Sequence, residues 1–164
     1  MSSIVSNPYS FNISKNTGFS GSIQAILPND YQSLFSDNNF TIGGGQSAYI
    51  QKDIELKIPN GVNVIYIEAD AYAISDDRES NNDGTISITN TGNNKKWASE
   101  SDSVQHSDLV LDAQNYIGVT PGKIYKLKIS IWAMAELDPC QSNVSLNIYY
   151  SALINQKTPD ILDY

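Results

Sequence analysis

The sequence is short of the residues from which most reactive and metal sites are built. Its 164 residues include one cysteine, Cys140, and one histidine, His106. A single cysteine cannot form an intrachain disulfide, and a single histidine offers no zinc-site spacing. His106 stands in the run Gln-His-Ser-Asp at 105–108, where consecutive side chains diverge and cannot form a Ser/His/Asp relay. We therefore expect His106 in a surface loop, and we expect no enzyme.

Positive charge and long apolar runs are also scarce. Ten Lys and Arg stand against eighteen Asp and Glu, which gives a formal net charge of −8. This balance argues against nucleic acid as a partner, because phosphate affinity rests on Lys and Arg. No apolar run approaches the ~20 residues that cross a bilayer, so no membrane insertion is expected. The first residues lack the pattern of a signal peptide. We expect synthesis in the cytoplasm, and a place of action in a virion or outside the cell.

Alternation between apolar and polar residues is the main structural signal. Two long runs follow turn residues, at Pro59-Asn60-Gly61 and Pro121-Gly122, and predict strands with one face on a core. The predicted strands cover 9–13, 21–27, 49–58 with a bulge near 51–53, 62–72, 85–89, 109–111, 116–119, 123–133 and 144–152, with one helical turn over 28–35. About eight or nine strands predict an all-β, antiparallel, jelly-roll-like sandwich. We expect one domain over 1–154 and a tail over 155–164.

Two segments carry a resemblance to known families. Pro121-Gly122-Lys123, followed by Tyr125, Leu127 and Trp132-Ala133, resembles a strand of jelly-roll carbohydrate-binding modules. Taken with the segment 58–65, it is also similar to β-sandwich domains of bacteriophage tail and fibre proteins. The second resemblance implies a virion structural or adhesion protein of tail, fibre or decoration type. The first implies a soluble carbohydrate-binding lectin or module. A virion protein needs neither a signal peptide nor a disulfide, and this consideration favours the second resemblance.

Three long predicted strands carry polar and aromatic side chains on their outward faces. If the strands share a sheet, these side chains combine into one ligand or interface face, composed of Tyr66, Glu68, Asp70, Tyr72, Lys128, Trp132, Asn147 and Tyr149. Such a face suits a host-surface glycan, and equally other subunits of a particle or of a homo-oligomer. In the alternative, Trp132 fills the core and Trp97 is the exposed aromatic residue. Glu68 and Asp70 share this face, but neighbouring carboxylates are common on a wet sheet.

An acidic loop over 76–84 is the candidate metal site. Its carboxylates are Asp76, Asp77, Glu79 and Asp83. Calcium takes six to eight oxygen ligands, which a flexible acidic loop can supply. The spacing does not match an EF-hand, and Arg78 neutralises part of the charge. The alternative is a solvated turn, so the expected cofactor is either none or Ca²⁺.

Overall fold

The described part of the computed structural model, residues 31–151, contains eight strands and no helix. Two strands predicted at 9–13 and 21–27, and the tail predicted at 155–164, lie outside the described residues. The strands are β1 (Tyr31–Ile42), β2 (Gln46–Lys57), β3 (Val64–Ser75), β4 (Asn81–Asn90), β5 (Lys95–Gln105), β6 (Leu109–Gly118), β7 (Ile124–Ala135) and β8 (Cys140–Ser151). The prediction of an all-β chain is confirmed for these residues.

The strands form two four-stranded sheets in the order of a jelly roll. One sheet has the order β1-β8-β3-β6 and the other β2-β7-β4-β5, and every described pair is antiparallel. The chain changes sheet at each connection except the one between β4 and β5. Eight strands in two facing sheets with this order are the double Greek key of a jelly roll. The predicted fold class is confirmed.

The core lies between the inner faces of the two sheets. β7 places every second side chain inward, and Leu127, Ile129 and Ile131 are at most 1% exposed. β3 and β8 do the same from the opposite sheet, with Ile67 and Leu146 fully buried. The alternation predicted for these strands is therefore confirmed. Burying each such side chain contributes roughly 1.5–3 kcal/mol, so this layer dominates the stability.

The two turns predicted from Pro and Gly lie side by side at one end of the sandwich. Gly61 and Gly122 both have positive φ, 82° and 77°, which a side chain rarely tolerates. The Gly122 N–H donates to the Ile58 carbonyl, and the Ile58 N–H donates to the Lys123 carbonyl. The turns thus hold the starts of β3 and β7 in place on opposite sheets.

Strand pairing overrides local sequence signals at three places. Residues 31–35, predicted to be helical, begin β1, because its pairing with β8 satisfies their backbone groups. The polar stretch 90–108 contains β5, and the two short strands predicted over 109–119 are the single strand β6. These predictions were wrong because cross-strand hydrogen bonds do not depend on side-chain alternation.

The bulge predicted near 51–53 is also absent, since β2 pairs with β7 without a register shift. Lys52 takes an inward position on this edge strand, where the sandwich opens to solvent. Its ammonium group lies 2.5 Å from the carboxylate of Asp37 on the facing edge strand β1. A charged residue therefore interrupts the apolar alternation without breaking the strand.

Candidate contact surfaces on the two sheets

The face predicted from the sequence is divided between the two sheets. β3 and β8 are neighbours in one sheet, and β7 lies in the other. Lys128 and Trp132 therefore lie on the opposite side of the sandwich from the other six residues of the predicted face. The assumption of one shared sheet was wrong for β7, because successive strands of a jelly roll mostly alternate between sheets.

The first surface, the outer face of β1-β8-β3-β6, is here called the acidic face. Its central residues stand in rows set by the strand register. Tyr66 is opposite Tyr116 and Tyr149, and Glu68 is opposite Gln114 and Asn147. In the next two rows Asp70 is opposite Asp112 and Ser145, and Tyr72 is opposite Val110 and Asn143. The structure therefore brings together six predicted residues, Tyr66, Glu68, Asp70, Tyr72, Asn147 and Tyr149.

Four tyrosines pack against one another at one end of the acidic face. The ring of Tyr66 lies 5.1 Å from that of Tyr116 and 6.3 Å from that of Tyr149, and Tyr31 meets it edge-on at 6.1 Å. The Tyr31 and Tyr116 hydroxyls are 3.0 Å apart. Tyr66 is fully buried although it points away from the core. Burial is the main cause that raises the pKa of both Tyr66 and Tyr116. This end is a packed aromatic layer, and Tyr66 offers no open ring to a ligand.

Three carboxyl groups, those of Glu68, Asp70 and Asp112, occupy the middle of the acidic face. Burial, followed by the charge of Asp112 and a hydrogen bond with it, raises the pKa of Asp70 to about 7. Burial and the charge of Asp112 also raise the pKa of Glu68. The Ser145 hydroxyl donates a hydrogen bond to Asp70 at 3.4 Å, which lowers the pKa of Asp70 and offsets part of this rise. None of the outward side chains on the four described strands is Lys or Arg. These carboxyl groups therefore lack a cationic partner within their own face.

Replacing Asp70 by asparagine should change how stability depends on pH. The folded chain holds a proton on Asp70 up to about pH 7, whereas an unfolded aspartate releases it near pH ~4. Stability from this group is therefore present at low pH and is lost as the pH rises toward 7. Asp70→Asn should be more stable than the unmodified chain at pH ~8 by about 1–2 kcal/mol, a figure reduced for solvent screening of a half-buried group.

This difference should vanish near pH ~4, as measured by urea unfolding across the pH range. Asp108→Asn removes one charge from an exposed loop residue and controls for net charge. Parallel stability curves for Asp70→Asn and the unmodified chain would contradict a raised pKa at Asp70.

The second surface, the outer face of β2-β7-β4-β5, is here called the lysine face. Its charged outward residues are Lys57, Lys96, Lys126 and Lys128 together with Asp53, Glu55 and Asp83. Asp83 accepts a hydrogen bond from Ser103. Between residues 31 and 151 the one ion pair within 4.0 Å joins Lys52 to Asp37, so these four lysines make no such pair there. With four lysines against three carboxylates, the face carries a small excess of positive charge.

Exposed apolar side chains are confined to these two surfaces. Within residues 31–151 the large hydrophobic side chains that are more than half exposed are Phe40, Ile42 and Val110 on the acidic face, and Tyr49 and Ile124 on the lysine face. The half-buried Trp132 stands opposite Tyr49 in the register. Phe40, Tyr72 and Val110 stand in one row of the acidic face, with Asn143 between the first two. Contiguous apolar groups on a polar surface are typical of contact sites.

The two tryptophans do not lie where the alternative interpretation of the sequence placed them, with Trp132 in the core and Trp97 exposed. Trp97, the exposed candidate, is 1% exposed, and its ring centroid lies 5.2 Å from that of Tyr125. The pairing between β4 and β5 shifts at this point, so that Trp97 and Ala98 both turn inward. Such a bulge removes the alternation that would identify a buried strand. The prediction of an exposed Trp97 was wrong, and Trp132 does not fill the core.

The predicted calcium ligands do not come together. In the described range 31–151 no three His, Cys, Asp or Glu side chains are grouped closely enough to hold a metal ion. Asp76, Asp77 and Glu79 lie in the turn between β3 and β4, where the Asp77 carboxylate accepts the Glu79 N–H at 2.8 Å. Asp83 belongs instead to the lysine face. Calcium binding thus has no assembled ligand set in this part of the chain.

His106 lies where the sequence predicted it, exposed in the loop between β5 and β6. It adopts a positive φ of 64°, and its Nδ1 lies 2.5 Å from the Arg78 carbonyl oxygen. Its backbone N–H donates to the Ser80 carbonyl. The imidazole therefore ties two neighbouring loops together.

Comparison with known proteins gives no sequence match and two weak structural similarities. No protein-family model and no curated protein sequence matches the chain. A structure of infectious bursal disease virus, Gx strain, is similar over 75% of this chain and 37% of that one, with 6% identity and a TM-score of 0.29. A mutant VP2 protein of infectious bursal disease virus, from derived T=1 particles, is similar over 80% of this chain and 35% of that one, with 9% identity and a TM-score of 0.31. The chain spans little more than a third of those proteins. Within the described residues, no helix could span a membrane.

Proposed function

We propose that this chain is a non-catalytic structural protein of a virus particle that contacts neighbouring subunits through the outer faces of its jelly roll. The observation that carries this proposal is the placement of the exposed apolar side chains. Phe40, Val110 and Tyr49 lie on the outer faces, where solvent would otherwise cover them. Subunit contacts are built from aromatic and aliphatic groups at the centre of a polar rim.

The absence of a catalytic role is part of the same proposal. Glu68, Asp70 and Asp112 lie on the outer face of a sheet, and Asp70 stands opposite Asp112 in the strand register. A glycosidase would need one carboxyl group as acid and another as base or nucleophile on opposite sides of a bound sugar. Carboxyl groups side by side on adjacent strands approach a sugar from the same side.

A second candidate is carbohydrate binding by a soluble lectin-like module. The observation that favours it is the pair of polar rows containing Glu68 with Asn147 and Asp70 with Ser145, which lie between the half-buried Tyr149 and Tyr72. Carboxylates and amides hydrogen-bond to sugar hydroxyls, and an aromatic ring covers the C–H face of a sugar. The buried Tyr66 reduces the aromatic area open to such a ligand. A calcium-dependent form would need a ligand set beyond the described residues.

The test is the mass of the chain in solution, measured by light scattering over a range of concentrations, together with a glycan array. We expect a defined oligomer or larger assembly and no glycan binding. The double variant Phe40→Ser/Val110→Ser removes exposed apolar area from the acidic face and should weaken the association, while Glu79→Ser, in an exposed turn, should leave it unchanged. A monomer that binds a glycan tightly, and loses it in Tyr72→Ala, would support the lectin instead.

A further inference from the structure

We propose that the acidic face of one copy of this chain docks on the lysine face of a second copy. The inference rests on the proposed function and names the partner and the two surfaces that meet. The acidic face contributes Glu68, Asp70 and Asp112, and the lysine face contributes Lys126 and Lys128. The contact is head to tail, because each copy uses a different surface.

Charge complementarity selects this pairing over the symmetric ones. The outward side chains of the acidic face include three carboxyl groups and no cation along β1, β8, β3 and β6. Two acidic faces in contact would bring six such groups together, and like charges at an interface cost several kcal/mol. With a net charge of −8, two copies also repel each other at long range. A contact that matches opposite charges offsets this repulsion, whereas a contact between like faces adds to it.

The lysine face supplies the matching charge. Lys126 and Lys128 are exposed and point outward from β7, and Lys96 lies nearby, opposite Thr89. On β2, Asp53 stands opposite Lys128 and Glu55 opposite Lys126, but within residues 31–151 neither pair comes within 4.0 Å as an ion pair. Lys96 donates a hydrogen bond to Ser87 at 3.4 Å. The long side chains of Lys126 and Lys128 can therefore reach across an interface to carboxyl groups that have no cation on their own face.

On both faces the aromatic groups stand at the same distance from the charged groups. Tyr72 follows Glu68 by four residues on β3, and Trp132 follows Lys128 by four residues on β7. At ~3.3 Å per residue, a charged group and an aromatic group stand ~13 Å apart on each face. Tyr72 has the exposed Val110 beside it, and Trp132 has the exposed Tyr49. A single docking can therefore join the charged rows and the aromatic rows together.

A contact between two different surfaces has a consequence for assembly. Each copy retains a free acidic face or a free lysine face after the first contact. Head-to-tail interfaces of this kind continue until they close into a ring, or extend as a filament if the rotation does not close. The proposal therefore predicts oligomers larger than a dimer.

The test is a charge exchange between two variants. Glu68→Lys/Asp112→Lys makes both faces positive, and Lys126→Glu/Lys128→Glu makes both faces negative. Each variant alone should lose association about 100-fold or more, because the contact now joins like charges. An equimolar mixture should associate again, as measured by light scattering or sedimentation, because each variant supplies the face that the other needs.

Three controls keep the test sharp. Glu79→Lys/Asp108→Lys makes the same change in net charge in exposed loops and should associate like the unmodified chain. The milder Glu68→Gln/Asp112→Asn should weaken association even if the lysine variant does not fold, which circular dichroism reports. Raising the salt concentration should weaken the contact, since screening shortens the range of charge attraction.

The outcomes separate this inference from the proposed function. If the unmodified chain assembles, but the variants assemble equally well or the mixture stays monomeric, this pairing of faces is wrong and the structural role stands. If the unmodified chain is a monomer at every concentration, both are overturned. Restored association only in the mixture supports the head-to-tail contact.

Discussion

Trp97→Ala should lower the free energy of unfolding by about 3–5 kcal/mol, the cost of removing a large aromatic side chain from a packed core. Trp97 is 1% exposed, and its ring centroid lies 5.2 Å from that of Tyr125 on β7. The cavity would open under the start of β7, where the inner layer cannot collapse without moving a central strand. Urea unfolding followed by far-UV circular dichroism measures the loss.

Trp132→Ala is the matched control, since it removes the same side chain from the outer lysine face. Its cost should stay below ~1.5 kcal/mol, because the ring is half-buried and leaves no closed cavity. Similar losses of stability at the two positions, or a larger loss at Trp132, would contradict the placement of Trp97 in the core and Trp132 on the outer face.

Ile129→Ala should cost about 2–5 kcal/mol through lost burial and the cavity that remains. Ile129 is 1% exposed and lies opposite Ile88, another fully buried residue, in the middle of the core. The neighbouring Lys128→Ala should cost under ~0.5 kcal/mol, because the lysine is exposed and forms no ion pair within 4.0 Å with any residue from 31 to 151. Both are measured by chemical unfolding at low protein concentration, which keeps association out of the comparison. Equal losses would mean that the register of β7 is shifted by one residue.

The inward and outward sides of the central strands could be predicted from the sequence, because a half-buried strand requires alternation. β3, β7 and β8 carry that pattern without interruption. β5 does not, since the bulge at Trp97 sends two successive residues inward and most of its other residues are exposed. β6 was divided in two because polar residues at its centre, among them Gln114 and Asn115, interrupt the apolar pattern. An edge strand is held by backbone hydrogen bonds to one neighbour. These bonds do not require apolar and polar side chains to alternate, so the sequence pattern does not reveal the strand.

The candidate surfaces were only partly predictable, for a different reason. Alternation tells which side chains of one strand share a side, but it does not tell which strands are neighbours. Glu68 and Asp70 were expected on one face, whereas the approach of Asp112 follows from the pairing of β3 with β6. The burial of Tyr66 has the same origin, because the rings that cover it come from β1, β6 and β8. Lys128 was placed correctly as outward and wrongly as part of the same surface.

The division of the predicted face has a functional meaning within this account. A single mixed face would suit one ligand, whereas two opposite faces of different charge suit a chain of identical subunits. Trp132 and Tyr72, which the sequence placed in one patch, lie on two separate surfaces, and in the proposed contact they are the aromatic anchors of those surfaces. The fold thus changes the expected contact from one shared site to a repeated one.

If the outer sheet faces are the contact surfaces, the solvent exposure of Trp132 should fall as the assembly forms, and its fluorescence reports that exposure. The variant Trp97→Phe leaves Trp132 as the chain's remaining tryptophan, since the sequence contains two. Mass from light scattering and quenching of Trp132 fluorescence by acrylamide are measured on the same samples as the protein concentration rises. We expect quenching to fall as the mass grows, because the neighbouring subunit covers the Trp132 ring. Growth in mass with unchanged quenching would place the contact elsewhere on the molecule and contradict the claim.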